Sequence, residues 1–144
     1  MITVKRIFIS IALFTFMFAA GTCLADSAIP NLVGTWTVKN EGAVISKDKA
    51  PGAKTHFSGE FSTLAAELAV TKQQGRVLHG TFTSPKATEK FVGVIGMDNK
   101  SIYLADEDGF IDGKIINKDR IDTVYRHATP TDTVIGVGTW TRKK

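Results

Sequence analysis

The sequence predicts an all-β protein: a small antiparallel up-and-down (meander) β-barrel of about eight strands, following a cleaved signal peptide. Three observations lead there. Long apolar sequence is confined to the first 25 residues. From Leu32 onward, short runs rich in Val, Ile, Thr, Phe and Tyr alternate with turn residues. The pentapeptide VGTWT occurs twice, at 33–37 and at 137–141.

The leader comes first. Lys5 and Arg6 precede an apolar run over 7–20, and the small residues Cys23 and Ala25 occupy the positions a signal peptidase recognises. Cleavage after Ala25 is expected, so 1–25 is a bacterial signal peptide and 26–144 a single β-barrel domain, periplasmic or secreted. A rival reading is lipid attachment at Cys23. The tetrad Ala20-Gly21-Thr22-Cys23 has no Leu and carries Thr where Gly or Ala is preferred, so cleavage after Ala25 is favoured. The mature chain then has no cysteine, and a packed core rather than disulfides must stabilise it.

The strands follow in order. Residues 33–39 form the first. Ala43 to Ser46 and His56 to Phe61 read as short strands flanking the loop KDKAPGAK (47–54), and 63–68 as one or two turns of helix. A hairpin over 68–73 and 76–83 turns at Gln74-Gly75. Runs at 91–95, 101–106, 110–116, 120–127 and 133–142 are broken at MDNK, EDG, NKD and ATPTD, a succession of antiparallel hairpins. A meander with an even number of strands closes by pairing its first strand with its last, which removes both exposed edges. The two VGTWT copies lie on those strands, so closure brings them together.

Alternation assigns the faces. Leu32, Gly34, Trp36 and Val38 share one face of the first strand, and Trp36 plugs one end of the interior. On the last strand Val134, Gly136, Gly138, Trp140 and Arg142 oppose Ile135, Val137, Thr139 and Thr141, and neither face is cleanly polar. The run 91–95 is apolar on both faces. Burial of one outward face by a second subunit is therefore an expectation.

The segment Asn31-Leu32-Val33-Gly34-Thr35-Trp36 resembles the Gly-x-Trp opening strand of the calycin superfamily, which includes lipocalins, fatty-acid-binding proteins and avidins. The resemblance implies an eight-stranded barrel, often with an internal pocket, in which an Arg of the last strand packs over the Trp. Arg142 stands in that position. Gly34, Trp36, Trp140 and Arg142 are thus the barrel-closure set. With only two tryptophans the chain lacks the aromatic set with which avidins hold biotin, and no helix precedes the last strand. Hydrolase inhibitors with calycin-like barrels keep a surface-acting role open beside a carrier role.

Charge excludes more than it suggests. Without Lys5 and Arg6, 16 basic residues face 14 acidic ones, and no basic stripe interleaves with aromatics, so nucleic acid is not an expected partner. In ADEDGFIDGK, Asp106, Asp108, Gly109 and Asp112 imitate part of a calcium loop. The register puts Leu104 and Ile115 at its first and last ligand positions, so an Asp-Gly hairpin turn is expected instead. His56, His79 and His127 have no partner at metal-ligand spacing, and no metal or other cofactor is expected. Asn99-Lys100-Ser101 matches a glycosylation sequon, set aside for a bacterial leader. A barrel enzyme would need His79, Tyr103, Tyr125 and Glu67 in one cavity, and is the third reading. The leading one is a non-enzymatic barrel binding a small apolar ligand among Trp36, Leu68, Val70, Phe82 and Ile102. The alternative is a filled barrel acting through its surface as an envelope interaction or hydrolase-inhibitor protein, with a protein partner or a second copy of the chain, a homo-oligomer, as the expected contact.

Overall fold

The computed structural model describes residues 28–46 and 61–144. The leader, Cys23, His56 and the loop 47–54 lie outside the described residues. Eight antiparallel strands, β1 (Gly34–Ser46), β2 (Phe61–Gln74), β3 (Val77–Thr83), β4 (Thr88–Ile95), β5 (Ser101–Ala105), β6 (Gly109–Asn117), β7 (Arg120–Ala128) and β8 (Asp132–Arg142), form a closed meander barrel. No helix occurs among the described residues.

Closure pairs β1 with β8 over eleven residue pairs, from Trp36 opposite Arg142 to Ser46 opposite Asp132. The VGTWT copies meet there only end to end, at Thr37 opposite Thr141, because Trp140 lies opposite Val38.

Two expected elements are corrected. The helical turns expected at 63–68 are part of the fourteen-residue strand β2. Ala, Leu and Glu are good helix formers, but Leu64, Ala66, Leu68 and Val70 alternate inward with period two, and burial overrides propensity. Ala43 to Ser46 is not a separate strand but the end of β1, which continues through Asn40, Glu41 and Gly42. Of the expected strand at 56–61, only Phe61 is described, as the first residue of β2. The expected EDG turn joins β5 to β6: Asp106 N–H donates to the Gly109 carbonyl, and Gly109 N–H donates to Asp106 Oδ1 at 2.6 Å.

Inward residues from all strands merge into one hydrophobic core containing both tryptophans. One barrel end is sealed. There Leu32 and Trp36 are fully buried, and Arg142 lies over the Trp36 ring, 4.2 Å from its centroid. The Trp36 indole N–H donates to the Leu32 carbonyl at 3.1 Å. The Arg142 guanidinium donates to the carbonyls of Asn31, Val33 and Lys118, tying the N-terminal segment to the β6–β7 turn. Gly34 sits between them at φ 136°, and a Cβ there would come within 2.9 Å of Arg142 Nη1. A bulge between Val70 and Lys72 lets Gln73 hold the same segment, accepting from Leu32 N–H and donating to the Pro30 carbonyl.

Candidate functional site

The opposite end carries the turns 84–87, 106–108 and 129–131. Below them, inside the barrel, lies a cavity of about 20 Å³, room for about one water molecule. Its apolar lining is Leu64 of β2, Phe82 of β3, Ile111 of β6 and Trp140 of β8. Its polar lining is Asn40 of β1, Asp106 of the β5–β6 turn, and Thr123 and Tyr125 of β7.

Alternation on β7 turns Thr123, Tyr125 and His127 inward together. The ATPTD turn then returns the chain so that Asp132, opening β8, faces His127. His127 Nε2 and Asp132 Oδ1 are 2.7 Å apart, with both side chains buried. Thr129 Oγ1 donates to the same carboxylate at 2.7 Å, and Tyr125 Oη lies 2.8 Å from His127 Nδ1. A carboxylate only accepts, so Nε2 carries the proton toward Asp132. Burial first, and then the negative charges of Asp106, Glu89, Asp108 and Asp132, push the Tyr125 phenol far above its usual range and hold it protonated.

Asn40 completes the wall. Its Oδ1 is buried with no hydrogen-bond partner among the described residues, an uncommon state for an amide oxygen. The amide packs over Gly138, its β8 partner, where a Cβ would stand 1.6 Å from Oδ1. Thr123 Oγ1 donates to the Gly138 carbonyl at 3.4 Å, a long bond.

Of the residues expected to hold a ligand, Phe82 lines this cavity, whereas Trp36, Leu68, Val70 and Ile102 are packed in the core and do not line it. Of the barrel-closure set, Gly34, Trp36 and Arg142 form the sealed end, and Trp140 lies under the cavity. The groups weighed for catalysis do not converge. His79 and Tyr103 face outward, and Glu67 is exposed and pairs with Lys143; only Tyr125 points inward. Asn40, Thr123, His127, Thr129 and Asp132 were absent from the expected site. The available signal was the Tyr-x-His spacing, which puts both rings on one strand face, with Asp132 one hairpin turn away.

On the outer wall, cross-strand neighbours Phe61, Ala43, Ile135, Arg126, Phe110, Ala105 and Val92 form one continuous row toward the end opposite Trp36. Phe61 is 81% exposed and Phe110 63%. Arg126 interrupts the row and pairs with Asp112.

No protein-family model matches the chain, and no curated protein matches it. Among solved structures, it is similar to the S-type phycobiliprotein lyase CPES from Guillardia theta, at 9% identity and a TM-score of 0.35. That match covers 78% of this chain and 89% of that one.

Proposed function

We propose that the protein is an exported, non-enzymatic, calycin-like barrel that binds a small ligand in its lumen, toward the end opposite Trp36. The observation that carries this reading is the asymmetry of the interior. One end is sealed by Trp36, Leu32 and the Arg142 clamp, while toward the other end a small cavity is lined by polar and apolar side chains that alternate around the barrel. Polar groups set among apolar side chains are found in small-molecule sites, and the cavity of about 20 Å³ must widen to take in more than a water-sized group. In this reading Phe82, Leu64, Ile111 and Trp140 contact the apolar part of the ligand, and the packed core around Leu68, Val70 and Ile102 is the rigid floor. The tyrosine held protonated by burial suits a hydrogen-bonding role better than that of base or nucleophile. Export rests on residues 1–25 alone.

Native mass spectrometry of the protein purified without denaturation tests the reading. A small-molecule mass that leaves on unfolding is the expected result. A bare chain, together with Trp140 fluorescence indifferent to small-molecule fragments, would refute it.

A second reading, action through the outer wall, is favoured by the exposed row from Phe61 to Val92. It predicts association that Phe110→Ser weakens in sedimentation velocity, with the fold unchanged.

A further inference from the structure

We propose that the sealed end of the barrel is a docking surface for an anionic phospholipid bilayer. This surface is separate from the lumen and stands whether or not a ligand is carried there.

The sequence scatters its lysines and arginines among carboxylates, and the meander sorts them. Every second turn of an up-and-down barrel falls at the same end. At the sealed end the β2–β3 hairpin contributes Lys72 and Arg76, the β4–β5 turn Lys100, the β6–β7 hairpin Lys114 and Lys118, and the C-terminus Lys144. The neighbouring cations Arg120, Arg142 and Lys143 are set against Asp122, Asp119 and Glu67. The first group has no such partner among the described residues; Arg76 donates only to the Gly96 carbonyl, which leaves its charge uncompensated. Asp98 is the acid of these turns that faces no cation, and it accepts instead from the Ser101 hydroxyl and the Lys100 and Ser101 amides. The sealed end therefore carries a clear excess of positive charge.

The same segments expose aliphatic side chains. Ile29 and Val33 stand out from the N-terminal segment, Met97 from the β4–β5 turn and Ile116 from the end of β6; Met97 is 84% exposed. The C-terminal tail joins the N-terminal segment, since Lys143 N–H donates to the Thr35 carbonyl. One such residue on a surface needs no explanation. Aliphatic tips interleaved with lysines on successive turns are the arrangement a bilayer interface takes, with the cations on headgroup phosphates and the tips at the acyl boundary.

The opposite end has the opposite sign. Its β5–β6 turn is Asp106-Glu107-Asp108, while the β3–β4 turn brings Lys86. An anionic surface thus attracts one end and repels the other, and the barrel approaches it sealed end first. The lumen cavity then lies on the side away from the lipid. Nucleic acid is a poorer occupant, because the turns of the sealed end carry no aromatic residue to stack on bases.

The test is flotation of the mature chain with vesicles of phosphatidylcholine alone and of phosphatidylcholine mixed with phosphatidylglycerol. Flotation with the mixed vesicles only, weakening as salt rises, is expected. Lys100→Gln and Lys118→Gln should each weaken it about fivefold, the effect of one cation near an anionic surface. Met97→Ser should weaken it as well, and Lys90→Gln, toward the other end, should leave it unchanged. All four side chains are exposed, so the variants keep the fold, which circular dichroism checks. Absence of flotation, equal flotation with both vesicles, or indifference to the two sealed-end lysines overturns the docking surface. Retention of an oligonucleotide through those lysines without flotation overturns the lipid assignment in favour of nucleic acid. None of these outcomes bears on the small-ligand reading, which native mass spectrometry decides.

Discussion

Trp36→Ala is the perturbation that most directly probes how the barrel is closed. The indole is fully buried, donates its N–H to the Leu32 carbonyl, and lies under the Arg142 guanidinium at 4.2 Å. Truncating a buried Trp to Ala costs roughly 3–5 kcal/mol through lost transfer energy and the cavity left behind. The orphaned Leu32 carbonyl adds about 1 kcal/mol. The cation–π contact adds about 0.5 kcal/mol, toward the low end because Arg142 is only partly buried. These contributions share atoms and do not sum, so about 4 kcal/mol is expected. That is a large part of the roughly 5–15 kcal/mol by which a domain is stable, and it lowers the melting temperature by roughly 15–30 °C. Thermal and urea unfolding followed by circular dichroism read both quantities. A fall under about 5 °C would refute the claim that Trp36 is the barrel plug. Arg142→Lys separates charge from geometry. It keeps the cation but cannot reach three carbonyls with a planar fork, and about 1–2 kcal/mol should be lost.

Three further outcomes are expected. Gly138→Ala forces a Cβ against Asn40 Oδ1, so it should destabilise by about 1–3 kcal/mol. Asn40→Ala in the same chain should recover part of that in urea unfolding, part only, because the Lys39 carbonyl is also within 2.9 Å of the added atom. Asp132→Ala strips His127 of its buried partner and should cost about 3 kcal/mol; urea unfolding unchanged from the parent would show that the pair contributes nothing. Asp98 accepts from the Ser101 hydroxyl and from the Lys100 and Ser101 amides, bonds that lower its pKa from 3.8 to about 2. Its contribution is complete above 3.8 and is lost as pH falls through about 2. Asp98→Asn should flatten the fall in stability across that window, and parallel acid titrations of the two proteins would contradict this.

The meander was legible because most strands signal themselves twice, by β-branched and aromatic content and by turns such as Asp-Gly and Asn-Lys-Asp between them. β2 was not. Its composition is that of a helix, and only the inward alternation of Leu64, Ala66, Leu68 and Val70 marks it as a strand, a pattern that acts once a barrel exists to bury it. The polar cluster was illegible for a related reason. A lone histidine on a strand signals little. His127 gains a role only because the register of β7 on β8 sets Val134 opposite it and brings the ATPTD turn, with Asp132, over its ring. Asn40 is harder still. In sequence it is a polar residue near the end of an expected strand, and only the continuation of β1 through Gly42 places it inside the wall.

The repeated pentapeptide bears on how the two ends come to differ. Trp36 is level with Arg142, two residues beyond Trp140 on β8, an offset of about 7 Å along the strand. The same Gly-x-Trp is thus used at two heights. At the lower one the indole is capped by the clamp and closes the barrel. At the upper one Gly138 takes the place of Gly34, and instead of an arginine it admits the Asn40 amide. The two glycines therefore admit different groups, an arginine at the sealed end and an amide farther along the lumen. Exchanging the admitted groups should move the seal: Asn40→Leu should fill the space above Trp140 and abolish ligand binding while raising the melting temperature. A variant less stable than the parent would show that Asn40 is held for packing rather than for a ligand.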